Sequence, residues 1–403
     1  MKVLLLRSLN PFFETGASAN RYSGIIKGLL KNNANVTLVV TGGYNNLDEY
    51  KSKGRFIDDI NLQVRYTIFT FNNNIWLRRI NLFLLNNIFR TINTLQLKHY
   101  FNDKYDYIWL TNNIDILSAF NRYSVLVKSK TIIELNEFND IYKGVDATGN
   151  QLQMRHAIFA DNVFKQSVLN IDLFAVMTKS LIEYYSKMAK PDAKFFHFPM
   201  TVDLSRFSEI PKTDKYKMPY IAFTGTFNNT KDGVDILIQS FYKIANKYED
   251  LHLYLAGFYH YDVQEQKKMI SHLKLNNRIS YLGVLNKEQI PELVCNASVL
   301  VLPRPDSHQA QGGFPTKLGE YLATGNPVCV TKVGEIPDYL EDNFSAFMAS
   351  PGDSESFADA MDRALSDREN ARRVGNNGLK VALDNFSIDV QVKRLVKFLE
   401  DNL

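Results

Sequence analysis

The stretch GGFPTKLGEYLATGNPVCV, residues 312–330, gathers the residue types that hold a phosphate-bearing ligand. Gly313, Phe314 and Pro315 form a short loop ahead of an amphipathic pattern that opens with Thr316 and Lys317. A helix start offers free backbone N–H groups and the positive end of the helix dipole, and a lysine beside them completes a diphosphate site. Glu320, one turn inward, is placed to accept hydrogen bonds from the paired hydroxyls of a ribose. The bland alternative is a solvated helix cap in which Glu320 offsets Lys317 three positions away. The length of the pattern favours the ligand.

A second stretch, FTGTFNNTKDGVDILIQSF at 223–241, runs in the order strand, loop and helix, with Thr226 at the head of the loop and Lys231 inside it. Arg304 follows the apolar run SVLVLP, at the carboxyl edge where α/β sheets bind ligands. A surface ion pair is the other reading of Arg304. Breaking a bond to a diphosphate puts negative charge on the departing phosphate, so preorganised donors supply most of the help. Lys231, Arg304, Lys317 and the helix-start amides have the chemistry for that. The seven His are scattered and no Asp-any-Asp pattern follows a strand convincingly, so neither a metal nor another cofactor is expected.

In the first half, Gly16, Ala17 and Ser18 make a small-residue loop between an apolar run and a helical pattern beginning near Asn20. Small side chains let backbone approach a ligand, and Asn20 and Arg21 are expected to reach toward it. TIIELNEFNDIY crowds Glu134, Asn136, Glu137 and Asp140 at a strand end; Glu137 is the candidate base for an acceptor hydroxyl, against a plain polar loop. His156, on the next helical pattern, is placed on the acceptor side or has a structural role. Thr178, Lys179 and Ser180 read as a helix start. Residues 75–101 combine a wide apolar face with Arg78, Arg79, Arg90 and Lys98. They suit either a peripheral contact with an anionic membrane, delivering a lipid-linked acceptor, or a core helix with solvated charges.

At 403 residues the chain exceeds what one core organises. Its 47 basic and 43 acidic residues balance to +4, which excludes a nucleic-acid-binding surface as a whole. Cys295 and Cys329 sit inside apolar runs and read as small buried hydrophobes in a reducing cytoplasm. No window is long and apolar enough to span a bilayer. The runs KVLLL, NVTLVV, YDYIWL, SKTIIEL and DLFAVM, then PYIAFTG, LHLYLAG, ISYLG, SVLVLP and NPVCVT, are continuous rather than alternating. That pattern belongs to parallel strands covered on both faces. The expectation is α/β: two Rossmann-like doubly wound domains with a cleft between them. The first spans 1–203, completed by a C-terminal helix crossing back at 386–403; the second spans 204–385.

The 312–330 stretch resembles the signature of the retaining GT-B glycosyltransferases of family 4. FTGTFNNTKDGVDILIQSF looks like that family's phosphate loop, FHFPMTVDLSRF like its linker, and KVGEIPDYLEDNFSAFMASPGD like its late Gly-Glu and Pro-Gly-Asp segments. With TGASANRYSGIIKGLL, the similarity covers nearly the whole chain in family order. It implies metal-independent transfer of a sugar from a nucleoside diphosphate to a hydroxyl of a glycan or lipid-linked acceptor, with configuration retained, in polysaccharide or glycoconjugate synthesis. Two positions depart from the family pattern. Its first signature Glu falls at Gly312, where Gln311 or the amides of Gly312 and Gly313 are the substitutes, and its phosphate-loop Arg falls at Thr226. A nucleotide-sugar epimerase of the same fold, or a non-catalytic sugar-nucleotide-binding relative, are the alternatives.

Overall fold

The computed structural model describes residues 1–403 except Thr15, Asn45, 68–85, 140–150, Lys212 and Met218, together with the side chains of 86–90 and 151–153. Residues 75–85 of the 75–101 stretch, Arg78 and Arg79 among them, and Asp140 therefore lie outside the described residues, as does the side chain of Arg90. The chain divides into two units, Met1–Pro199 with Gln391–Leu403, and Met200–Val390.

The first unit is built on a seven-stranded parallel sheet in the order β3-β2-β1-β4-β5-β6-β7. Its strands are β1 (Lys2–Arg7), β2 (Asn35–Val40), β3 (Leu62–Tyr66), β4 (Tyr107–Leu110), β5 (Lys130–Leu135), β6 (Leu173–Val176) and β7 (Lys194–His197). The central strands β1, β4, β5 and β6 are almost wholly buried, which is why they read as unbroken apolar runs. The edge strands escape sequence reading. LQVRY in β3 alternates buried and exposed residues, and KFFH in β7 is four residues long with no buried position. An edge strand has one face or one side in water, so the apolar signal thins.

The second unit carries a six-stranded parallel sheet ordered β10-β9-β8-β11-β12-β13. These are β8 (Tyr220–Thr226), β9 (His252–Phe258), β10 (Ile279–Gly283), β11 (Val299–Leu302), β12 (Val328–Thr331) and β13 (Phe347–Ala349). Both orders reverse direction beside their first strand, between β1 and β4 and between β8 and β11. Such a switch point opens a crevice at the carboxyl ends of the strands, where α/β sheets take ligands.

Four helices matter for the sites. α1 (Ala17–Lys31) follows β1, α2 (Val234–Ala245) follows β8, α3 (Thr316–Ala323) precedes β12, and α4 (Ile388–Glu400) closes the chain. The last helix packs on the first sheet's unit: the Tyr107 hydroxyl donates to the Leu399 carbonyl at 2.5 Å, and Phe398 stacks on Phe196 with centroids 5.0 Å apart. Thr178 caps the helix Lys179–Ser186 by accepting from the Leu181 amide, as its position in TKS implies. Cys329 is buried, whereas Cys295, expected to be buried, is only half so; its thiol faces the Phe207 carbonyl at 3.7 Å.

Close backbone approach at the second switch point depends on Gly233, which has φ +70° and lies where a Cβ would meet the Pro303 carbonyl oxygen at 2.0 Å. That contact brings the start of α2 against the loop after β11. Gly352 has a similar φ of +74° but open space around the Cβ position. Gly352→Ala is therefore expected to cost only the left-handed penalty of about 1 kcal/mol, and Gly233→Ala clearly more, because a main-chain clash must also be relieved. Urea unfolding of the full chain checks this: the midpoint falls further for Gly233→Ala, and equal midpoints contradict it.

Candidate functional site

In the second unit the candidate residues converge on the end of β8. Lys317, in the first turn of α3, donates from Nζ to Asp232 Oδ1 at 2.6 Å. Asp232 closes the single-turn helix Asn229–Asp232, itself capped by the Asn228 side chain accepting from the Lys231 amide at 2.8 Å. The two side chains are 17% and 8% exposed. The ammonium lies 4.8 Å from the Phe223 ring centroid and so close to Gly225 that a Cβ there would stand 2.2 Å from Nζ. Glycine at 225 is thus what lets a charged group pack on the strand end.

Burial pushes the Lys317 pKa down; Asp232 draws it back up, and Arg304 and Lys231 push it down again. Each cation depresses the pKa of another only within electrostatic reach, so Lys231 and Arg304 lie near enough to Lys317 to form a positive cluster with it, beside the Asp232 carboxylate. Lys231 is exposed and Arg304 buried. The Arg304 guanidinium donates to the carbonyls of Gly313 at 3.3 Å and Gln309 at 3.4 Å, and its own carbonyl accepts from the Thr331 hydroxyl at 2.6 Å. It therefore braces the loop ahead of α3 as well as adding charge. Tyr321, fully buried, ties α3 to β8 through the Thr224 amide at 2.7 Å.

Pro315 stands at the N-cap of α3, which has no side-chain cap, and Thr316 and Lys317 follow as its first two residues. Other expectations change. Phe314 packs its ring against Tyr339 and Phe386, at 5.5 and 5.4 Å, so its side chain belongs to the core. The Gly313 amide already donates to the Gln309 carbonyl at 3.1 Å, which takes it from the role of substitute donor. Gln311 is exposed and donates to Asp306 at 2.7 Å. Glu320 accepts from Arg206 at 2.8 Å rather than offsetting Lys317, and stays partly open at 22%. Thr226, half-buried, ends β8. Asp232 and Arg206 escaped sequence reading because each pairs across 85 and 114 positions; the only local signal was Asp232 standing beside Lys231.

In the first unit, Gly16 has φ +109° with nothing near its Cβ position, and Gly16, Ala17 and Ser18 are exposed at the uncapped start of α1. Asn20, half-buried, donates its amide to the Gly16 carbonyl at 3.0 Å. Arg21 does not reach outward. It is 3% exposed, pairs through Nε with Glu134, and donates to the carbonyls of Pro199 at 2.7 Å and Phe198 at 2.9 Å. A guanidinium among apolar strands stays inside only when its donors are matched, and here a carboxylate and two carbonyls match them. Glu137 is exposed in the loop after β5, where its carbonyl accepts from Tyr185 at 2.9 Å. His156 is exposed on the helix Gln151–Val168. Among the described residues, no group of three His, Cys, Asp or Glu is arranged to hold a metal ion, and no helix is long and apolar enough to cross a membrane.

Residues 205–381 match the family model of the glycosyl transferases group 1. An uncharacterized glycosyltransferase of Methanocaldococcus jannaschii is 26% identical over 177 residues, covering 44% of this chain and 43% of that protein's length. Among solved structures, HepE of Anabaena in complex with UDP has a TM-score of 0.68 at 16% identity, covering 100% of both chains. Sucrose-phosphate synthase from Thermosynechococcus elongatus has a TM-score of 0.70 at 14% identity, again over 100% of both. At such identities the structural likeness establishes the fold, which is the GT-B fold of glycosyltransferases.

The Lys317–Asp232 pair is expected to behave as a coupled unit. Lys317→Met strands a buried carboxylate and costs about 3 kcal/mol, while the double variant with Asp232→Asn recovers much of that loss. A double-mutant cycle by urea unfolding measures the coupling, and additive single effects contradict it.

Proposed function

We propose that this chain, whose residues 205–381 belong to the glycosyl transferases group 1, moves a sugar from a nucleoside-diphosphate sugar to an acceptor hydroxyl with retention of configuration. The observation that carries the reading is the cluster of Lys231, Arg304 and Lys317 at the carboxyl end of β8, beside the uncapped start of α3. A departing nucleoside diphosphate gains negative charge in the transition state, and fixed cations with a helix start are stronger partners for it than for the ground state. Lys231 is exposed, and in this reading it meets the phosphate directly. Arg304 and Lys317 hold the local potential positive while Asp232 keeps the buried ammonium in place.

Glu320 holds the ribose hydroxyls, with Arg206 fixing its carboxylate and leaving it partly open. The HepE structure, solved with UDP, makes a uridine nucleotide the first donor to test. The exposed loop Gly16–Ser18 offers its backbone to a ligand, and Glu137, with Asn20 and His156 in the same unit, serves the acceptor. Among the described residues no side chain stands out as an enzymic nucleophile, and in this reading the leaving phosphate itself takes the acceptor proton. The side-chain cations supply the charge that a metal supplies elsewhere. The reaction serves glycan or glycoconjugate assembly on the cytoplasmic side, with peripheral membrane contact through the basic, apolar sequence of 75–101.

Incubation with a panel of nucleotide sugars, with and without acceptor glycosides, tests the reading. Acceptor-dependent release of nucleoside diphosphate and an unchanged anomeric configuration in the product support it; acceptor-independent isomerisation, or binding without turnover, overturns it. Lys231→Ala is expected to lower turnover by about 10²-fold with unfolding unchanged, since the side chain is exposed. Chelation by EDTA is expected to leave the rate as it was, and a rate restored only by divalent metal contradicts the metal-independent reading.

A further inference from the structure

Lys231 and Asp232 stand on a helical turn too short to hold itself. Asn229–Asp232 is four residues long and ends at Gly233 in the left-handed region. A helix of that length makes too few hydrogen bonds of its own to offset the ordering of its backbone. Much of what holds it comes from another segment, the loop after β9 and the helix Val263–His272. Asp262, buried, accepts from the Asn229 amide at 2.8 Å. Gln266, fully buried, donates from Nε2 to the Asn229 side-chain oxygen at 2.6 Å and to the Phe227 carbonyl at 3.1 Å. Tyr281 in β10 sets the orientation of that amide, because its hydroxyl donates to Gln266 Oε1 at 2.9 Å.

His260 completes the set, and its partners fix where the ring hydrogen sits. Asn228 Oδ1 accepts from the Lys231 amide at 2.8 Å and from the Thr230 hydroxyl at 3.0 Å. The other end of that side chain, its NH2 group, is therefore what faces His260 Nε2 at 3.1 Å. An amide NH2 only donates, so Nε2 accepts and the hydrogen lies on Nδ1. There it meets Asp262 Oδ2 at 3.0 Å, while the Asp262 amide, 3.5 Å from the same nitrogen, is too far to compete. One carboxylate orients the imidazole, and the imidazole orients the side chain that caps the turn.

We propose that His260, Asp262 and Gln266 are positioning residues for glycosyl transfer: through Asn228 and Asn229 they hold the turn so that Lys231 is in place before the diphosphate arrives. The proposal rests on Lys231 as a phosphate contact and deepens that reading, since a turn ordered beforehand does not have to be ordered by the ligand. The same bonds keep Asp232 where Lys317 meets it.

Imidazole nitrogen NMR of the full chain in mildly alkaline buffer reads the tautomer, with the His260 signals identified among those of the seven His by their loss in His260→Gln. Hydrogen on Nδ1 is expected. Hydrogen on Nε2, alone or together with Nδ1, overturns the proposal whatever the chain binds. Calorimetric titration of inorganic pyrophosphate measures the consequence. His260→Phe, which keeps a flat ring without the acceptor, is expected to weaken pyrophosphate by about tenfold, the worth of one hydrogen bond. His260→Gln, whose side-chain oxygen can accept from Asn228, is expected to recover most of that. Should His260→Phe fail to fold, Tyr281→Phe, which frees the Gln266 amide to turn, is read the same way. Pyrophosphate binding that a folded variant leaves unchanged, or that His260→Gln fails to recover, overturns the proposal and leaves the donor reading standing. An intact chain that binds no pyrophosphate loses both.

Discussion

A lysine held in the packed end of a sheet is the constraint on which the second unit's candidate site depends. An ammonium leaving water for that environment is strongly disfavoured unless charge and hydrogen bonds replace its hydration. Asp232 supplies the charge at 2.6 Å, the Phe223 ring supplies a face, and Gly225 supplies room. Once Lys317 is fixed, the start of α3 is fixed with it, because Tyr321 binds the same strand from the next turn. The loop ahead of α3 is held by Arg304, whose strand end is brought in by the Gly233 contact with Pro303. The cations therefore belong to one mechanically linked cluster.

Why a protein would keep three cations together follows from the energetics. Burial lowers the Lys317 pKa most, and Arg304 and Lys231 push it down further, so the three cations repel one another. The Asp232 carboxylate offsets part of this at Lys317, and an incoming diphosphate would offset more. Preorganised charge of this kind is costly to hold in the free protein and needs no reorganisation when negative charge develops. The first unit uses the opposite device. Its buried cations are internally balanced, Arg21 by Glu134 and Arg7 by Glu14.

The sequence carried the central strands of both sheets, because burial on both faces leaves continuous apolar runs. Edges β3 and β7 carried no such trace. Of the site, Lys231, Lys317 and Glu320 were legible because loop and helix signals surround them, and the full-length fold likeness agrees with the α/β reading. What each side chain pairs with was not legible. Asp232 and Arg206 meet their partners across 85 and 114 positions, and Arg21 meets Glu134 across 113. Phe314 and Gly313 looked like ligand-facing loop residues, and only packing shows that ring and amide are already spent.

Calorimetric titration of inorganic pyrophosphate into the full chain, and into the Lys317→Met, Asp232→Asn double variant, tests the cluster most directly. The double variant removes the buried ammonium without stranding the carboxylate, so the fold is kept while one cation is lost. The account predicts pyrophosphate binding that weakens by about 10²-fold or more in the variant, the worth of a charge-assisted contact in a sheltered site. Equal affinity in the two proteins, or none in the intact chain, would contradict it.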